Sequence, residues 1–496
     1  NASQIAVRDG GVLGVEFALS DADLAKVQLG PRGGLAARFE GTFGGVSAPM
    51  ARIPAGGILL LDNYTAVNNN RYPDAQPLAL TNNQLVIWGR NAASAPVNEA
   101  VGDMTVGGGA HLFLRRQNST GSGVVLSPAS LATPGTGSSL LIETEGSSLG
   151  ETLNDNSVAI ATDGARPAVT NGMLPPSLQY YTGGNNLGHF LNYGTTDTNR
   201  IVGATYTSTD INAAGPSDLV NIGASAQTLT SSKTVHALRL GQNLTLNSGV
   251  TLTLGSGGLI MSSVAIDGSG TLDFGSMPAY IGVYNAAAQA NVRVPITGSG
   301  GMVILGTSQT LNITNIYNTF TGGIWINGGA VRFYFTAANG NDVTVNPYGR
   351  LVAGGTSGLA IDRIGGLQGV GLVSAWSATA GTSTGMLEIA APNGTYLFDG
   401  AMTNGNAGRT FGLIKSGGAT QILGSNFVGH FTGFTIVSGG VLQVDGNLAR
   451  SPVVSVVNGG RLQGTGLIGG EIVVSGANST LAPGASPGQF TANANV

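Results

Sequence analysis

Cysteine is absent from the 496 residues, which excludes disulfides and thiolate-held metals. Charge is scarce. Asp, Glu, Lys and Arg together make up 9% of the chain, against about 25% in ordinary globular proteins. Lysine occurs only at Lys26, Lys233 and Lys415. The formal net charge is -4 and the Arg115–Arg116 pair stands alone, so the dense basic stripe that a nucleic-acid partner requires is missing. No apolar run reaches the roughly 18 residues of a membrane-crossing helix. Lys, Glu and Gln, which favour helices, are few, and this argues against a helical protein.

What the chain does have is glycine, 81 residues of it, together with much Val, Leu, Ile, Thr and Asn. The glycine shows no collagen period, and a hydrophobic content of 42% argues against disorder. Short strands are the dominant signal. In "VHALRLGQNLTLNSGVTLTLGSGGLIM", Leu238 and Leu240, then Leu244 and Leu246, then Val250, Leu252 and Leu254 alternate with polar neighbours. Gly and Asn fall between these groups. Period-two alternation broken by Gly and Asn predicts half-buried strands joined by corners. Antiparallel hairpins and the coils of a parallel β-helix both read this way locally, and internal repetition separates them.

A repeat is present. "PITGSGGMVILG" (Pro295 to Gly306) precedes "TFTGGIWINGGAVRF" and "VTVNPYGRLVAGG"; "GLIKSGGATQILG" (Gly412 to Gly424) precedes "HFTGFTIVSGGVLQV" and "VSVVNGGRLQGTG". Gly300-Gly301 and Gly417-Gly418 occupy matching corners. The second copy closes on "EIVVSGANSTLAPGASPG", where Pro483, Gly484, Pro487 and Gly488 stop the strand, because proline lacks a ladder donor and Pro-Gly fixes a bend. Over roughly residues 290–490 this pattern resembles the autotransporter-associated β-strand repeats of large bacterial surface proteins. The stretch from "ARPAVTNGMLPPSLQYYTGG" to "SDLVNIG" resembles the variable segment between their cassettes. The resemblance implies an all-β, right-handed parallel β-helix, exported from a bacterium and acting outside the cell as stalk, adhesin or matrix. The start at Asn1 reads as a processed chain whose export signal has been removed. The end at "TANANV" shows no set of amphipathic barrel strands. On this basis residues 1–165 form a loosely repeat-like β-rich region, for which an antiparallel sandwich stays open. Residues 166–290 hold the variable segment and solenoid coils, 291–411 one cassette and 412–496 a second.

Motifs that mimic chemistry are plentiful at this glycine density. Gly484-Ala485-Ser486-Pro487-Gly488 matches G-x-S-x-G, as do Gly146–Gly150 and Gly381–Gly385, but a hydrolase elbow needs a following helix. Gly464–Gly470 matches a dinucleotide loop without the helix or the acidic residue. Both read as corners. The histidines His111, His189, His236 and His430 stand apart in sequence, without ligand spacing. Asp267, Asp273 and Asp362 are the calcium candidates, though the tandem nonapeptide spacing of calcium-binding solenoids is absent; Asp362–Arg363 reads as a surface pair. Asp21 and Asp23 in "SDADLAK" are the only closely spaced aspartates, on a short capped helix or loop. Tyr180 and Tyr181 in "SLQYYTGG" are the candidate ligand-facing aromatics.

These readings predict about 20 coils in one rod on the order of 100 Å. They predict a non-enzymatic extracellular structural protein without a cofactor, without a nucleic-acid partner and without a membrane span in this chain. Because each end of a solenoid is an unpaired β edge, the expected partner is a second copy joined end to end into a filament or sheath. The alternative is a monomeric passenger that serves as stalk or adhesin for a host or matrix glycan or protein. A glycan-active enzyme, the third class, would require a carboxylate-lined groove.

Overall fold

The computed structural model describes residues 55–484, apart from 65–66, 68, 73, 91–95, 118–122, 153–154, 162, 184–185, 285–288, 308–309, 337, 355–357, 377–382 and 406–407. Beyond that range it describes the backbone of the strands Ile5–Val7, Val12–Val15, Val27–Leu29, Gly34–Phe39 and Thr491–Ala492. Strand follows strand, with no helix among the described residues. Successive strands on one face pair in parallel, as Leu244 with Ile266, Ile266 with Val292, Val292 with Ile313 and Ile313 with Phe333. The chain is an all-β parallel solenoid of about 17 turns.

The inward residues explain why it coils. Leu244, Ile266, Val292, Ile313 and Phe333 form one ladder, and all are buried in a core that runs from Ile211 to Ile472. Burying each large aliphatic side chain contributes about 1.5–3 kcal/mol, and the stack repeats this at every turn. Corners bring the chain round. Gly301, Gly417 and Gly484 have φ of 83°, 65° and 77°, a backbone region that glycine enters without steric cost. Gly300 and Gly418 serve close approach instead: a Cβ would lie 2.3 Å from the Met277 carbonyl carbon and 2.5 Å from the Pro392 oxygen respectively. Lys415 braces the second of these corners, donating its ammonium to the carbonyls of Ser416, Gly417 and Gly439. Pro483 is the last residue of the strand Thr480–Pro483. Pro487 and Gly488 lie outside the described residues, as do Ser486, Asp21 and Asp23.

The repeat and the coil differ in phase. Met302–Gly306 and Thr420–Leu423, which follow the two Ser-Gly-Gly corners, both lie in the same 15-stranded sheet. Ile324–Ile326 is in that sheet too, but its sequence counterpart Thr435–Val437 lies in a 6-stranded sheet on another face. An extra strand in the later turns displaces the repeat by one wall.

The N-terminal region is also a solenoid. Ile58–Asp62, Gln84–Trp88, Gly109–Arg115 and Ser139–Glu145 stack in parallel, with Leu78–Thr81, Val97–Gly107 and Val124–Leu131 on a second face. The sandwich left open by the sequence is therefore not formed over these strands. Its core, from Leu59 to Ile201, is separate from that of the later turns.

The single long rod expected from sequence is replaced by two stacks lying side by side. The chain reverses through Leu178–Thr182, His189–Tyr193 and Ile201–Gly203, whose pairings are antiparallel. The second stack then runs back along the first. Tyr181 stacks on Tyr284 with ring centroids 5.3 Å apart, Ser139 meets Asn327, and Gly57 meets Tyr348. Residue numbers fall along one stack as they rise along the other, so the stacks are antiparallel. The 13-stranded wall of the second stack spans roughly 60 Å at about 4.8 Å per strand.

Asn327 is the polar anchor of the seam. Its buried amide nitrogen donates to Gly137 O at 2.9 Å, Ser139 Oγ at 2.8 Å and Gly108 O at 3.3 Å, while its oxygen accepts from Asn346 at 2.5 Å. Gly109 and Gly137 allow the approach: a Cβ on either would meet the Asn327 backbone or the Trp325 ring at 2.6 Å or less. Asn327→Ala should cost about 2–3 kcal/mol, the penalty for leaving buried partners unpaired. Chemical unfolding measures it, and a loss under about 0.5 kcal/mol would show that the seam is held elsewhere.

Candidate functional site

The sequence-derived candidates do not converge. Tyr180 and Tyr181 are each 4% exposed, so neither faces a ligand. The Tyr180 hydroxyl accepts from Leu149 N at 3.0 Å and lies 2.7 Å from Thr182 Oγ1, while Tyr181 is covered by Tyr284 across the seam. Alternation sends one ring into the first core and the other under the second stack.

The three aspartates are engaged separately. Asp267 holds Arg293 at 2.8 and 3.1 Å. Asp273 accepts from Thr297 at 2.6 Å, Gly275 N at 3.1 Å and Thr253 at 3.2 Å. Asp362 is buried, which corrects its reading as half of a surface pair, and it accepts from Phe335 N and Gly354 N, both at 2.7 Å. Burial pushes its carboxyl up to about 6, against the pull of those two N–H groups. Arg363 lies 3.9 Å from Glu388 instead. Among the described residues no three His, Asp or Glu side chains gather as a metal centre would require. The Gly464–Gly470 match spans the strands Arg461–Gly464 and Leu467–Ile468, with Gly464 at a φ of 128°, and is a corner.

The histidines occupy four different settings. His189 packs beside Arg239 and Tyr206, and burial, with Arg239, lowers it to about 4. His236 contacts Asn171 at 3.1 Å. His430 is exposed on Val428–His430. His236 also lines a hollow of about 240 Å³, and His111 opens onto a cleft.

That cleft, of about 430 Å³, lies in the seam between the stacks. Ala110, His111, Ser139 and Leu141 line it from the first stack, and Leu305–Thr307, Asn327–Ala330, Tyr348 and Arg350 from the second. His111 Nε2 lies 3.0 Å from Glu143 Oε2, a close pair without hydrogen-bond alignment. Its ring meets that of Tyr348 edge-on, with centroids 6.4 Å apart. Tyr348 donates to Gly57 O at 3.2 Å, and burial raises its hydroxyl pKa. Arg350 donates Nε to Ser374 Oγ at 2.7 Å, and burial lowers its pKa. The arrangement offers a cation, two rings and hydroxyls around an apolar floor. Its lining residues include no pair of carboxylates of the kind used in acid–base hydrolysis of glycosides.

Sequence reasoning missed this site because His111 and Tyr348 belong to different stacks. Nothing local marks Asn327 among the chain's other Asn-Gly pairs, and only the reversal of the chain brings these residues together. No family model, no curated protein and no solved structure matches the chain.

A second unabsorbed group is Glu99, fully buried in the first stack and accepting from Tyr72 N. Burial raises its carboxyl to about 8, opposed by the Tyr72 bond and reinforced by Asp74. The folded protein therefore keeps a proton there that the unfolded chain releases above about 4.5. Stability should fall as pH rises from about 4.5 to about 8 and then level, by a few kcal/mol in all, at about 1.36 kcal/mol per pKa unit. Thermal unfolding across that window reads the slope, and Glu99→Gln should flatten it. A slope unchanged in the variant would assign it to another group.

Proposed function

We propose that the protein is a non-enzymatic structural scaffold of the bacterial cell surface, a passenger-type β-solenoid of the autotransporter-repeat kind that joins end to end with further copies. The observation that carries the scaffold reading is the use made of its few charges. Asp267 ties its turn to Arg293, Asp273 to Thr297, Asp399 to Asn426 and Asp445 to Thr465. In each case the carboxylate links one turn to the next. Acids placed this way hold a stack together.

End-to-end joining is supported by the contrast between the two ends of the second stack. Its first turn is covered by the segment carrying Ile211 and Ala214, both buried in the core. Towards its other end, the strands Glu471–Val474 and Thr480–Pro483 leave Val473 and Val474 exposed and Leu481 half covered. A further turn laid on this surface would bury them and satisfy the strand edge.

The monomeric stalk or adhesin is favoured by one feature of that same edge. Pro483 cannot donate to a ladder, and Glu471 places an exposed charge there. Both are devices that blunt β edges.

Electron microscopy of the purified, detergent-free chain decides between the two. Fibres that disperse in Leu481→Asp are the result expected from end-to-end joining. Discrete particles at all concentrations would reject it in favour of the stalk.

A further inference from the structure

The seam cleft carries an inference that goes beyond a scaffold role. We propose that it is a binding site for a single acidic sugar unit, a hexuronate, whose carboxylate is held by Arg350.

Three features of the cleft select that chemistry. The first is the uncompensated cation. Arg350 uses Nε on Ser374, and among the described residues its two terminal nitrogens have no hydrogen-bond or ion-pair partner. The group is partly removed from water, and nothing beside it supplies a countercharge. A guanidinium fork in such a position favours a planar carboxylate, which it can bind through two parallel hydrogen bonds. Glu143 faces His111 rather than Arg350.

The second feature is the shape and lining of the hollow. At about 430 Å³ it falls within the range of small-ligand pockets. A bare inorganic anion would leave most of it empty. Leu305 and the Tyr348 ring present apolar surface suited to the C–H face of a pyranose, and His111 closes one side.

The third feature is hydroxyl chemistry opposite the apolar surface. Ser139 and Thr307 both line the cleft. Each is held by one protein partner, Ser139 by Asn327 at 2.8 Å and Thr307 by Tyr181, and a hydroxyl so held keeps capacity for a further hydrogen bond to a ligand hydroxyl. One carboxylate, one apolar ring face and several hydroxyls in a single small molecule describe a hexuronate.

The site is contributed by both stacks: His111 and Ser139 come from the first, Thr307, Tyr348 and Arg350 from the second. Binding therefore favours the paired arrangement over separated stacks, and a ligand that binds only the paired form raises stability by mass action.

The test is calorimetric titration of the whole chain with glucuronate, glucose and acetate as probes. Glucuronate should bind at least about tenfold more tightly than either of the others, because only it meets both the cation and the ring surface. Arg350→Gln should reduce glucuronate binding to the level of glucose, while Arg350→Lys retains part of it. The circular-dichroism spectrum of each variant confirms that the solenoid is intact; where Arg350→Gln fails to fold, Thr307→Val replaces it and should weaken glucuronate without affecting acetate. Equal affinity for acetate and glucuronate would overturn the sugar assignment. No binding of glucuronate, or binding unchanged in the Arg350 and Thr307 variants, would overturn the site.

Discussion

Every part of this molecule depends on the parallel ladder by which one turn hydrogen-bonds to the next. The ladder fixes the spacing of turns at about 4.8 Å, and that spacing dictates what the side chains can be. Inward positions stack like on like, as in the run from Leu244 to Phe333. Outward positions stack too, so an acid on one turn finds its partner on the next, as Asp267 finds Arg293. A chain with 9% charged residues can stay ordered because its ladders need few ions. Lys415 illustrates the same economy: one buried ammonium serves the carbonyls of two successive corners.

A lone solenoid exposes all its outer walls, and this protein covers part of them with itself. The seam joins an apolar cluster, with Leu141 and Tyr181 from the first stack and Ile260 and Tyr284 from the second, to a set of small residues and amides. Gly109 lies against the Asn327 backbone and Gly137 against the Trp325 ring, Asn327 bridges three groups of the other stack, and Tyr284 donates to Gln179 at 2.9 Å. A cleft remains in the seam, and it collects His111, Tyr348 and Arg350. The cleft proposed as a binding site thus lies where the two halves meet, while the walls themselves hold the turns together.

Much of the fold was legible in the sequence, because corners and ladders are local demands. Gly301, Gly417 and Gly484 stand where φ is positive, and the alternation from Leu238 to Leu254 maps onto the strands Lys233–Leu240, Leu244–Leu246 and Thr251–Met261. Two of the three errors share one cause. Tyr180-Tyr181 looked exposed because in a single stack one of two neighbouring residues faces outward; the second stack covers that one. Asp362 looked like a surface residue and is instead buried against Phe335 and Gly354. The rod length failed for the same reason as the tyrosines. The reversal sits in the antiparallel strands after Leu178, inside the stretch that sequence marked only as variable, and no local pattern announces that a solenoid will turn back.

The pairing of the stacks also sets an order of events. Turns within a stack join residues some twenty positions apart, and such contacts form early and propagate along a repeat array. The seam joins Gly57 to Tyr348 and Gly137 to Asn327, loops an order of magnitude longer, whose closure is slow. A chain emerging from its N-terminal side would complete the first stack while Asn327 and Tyr348 were still to come. During that interval Gly109, Gly137 and Tyr181 would be bare, and the first stack would be a folded body with one unfinished side. Docking of the two halves is therefore the late and slow step, and the cleft between them comes into existence only when it is done.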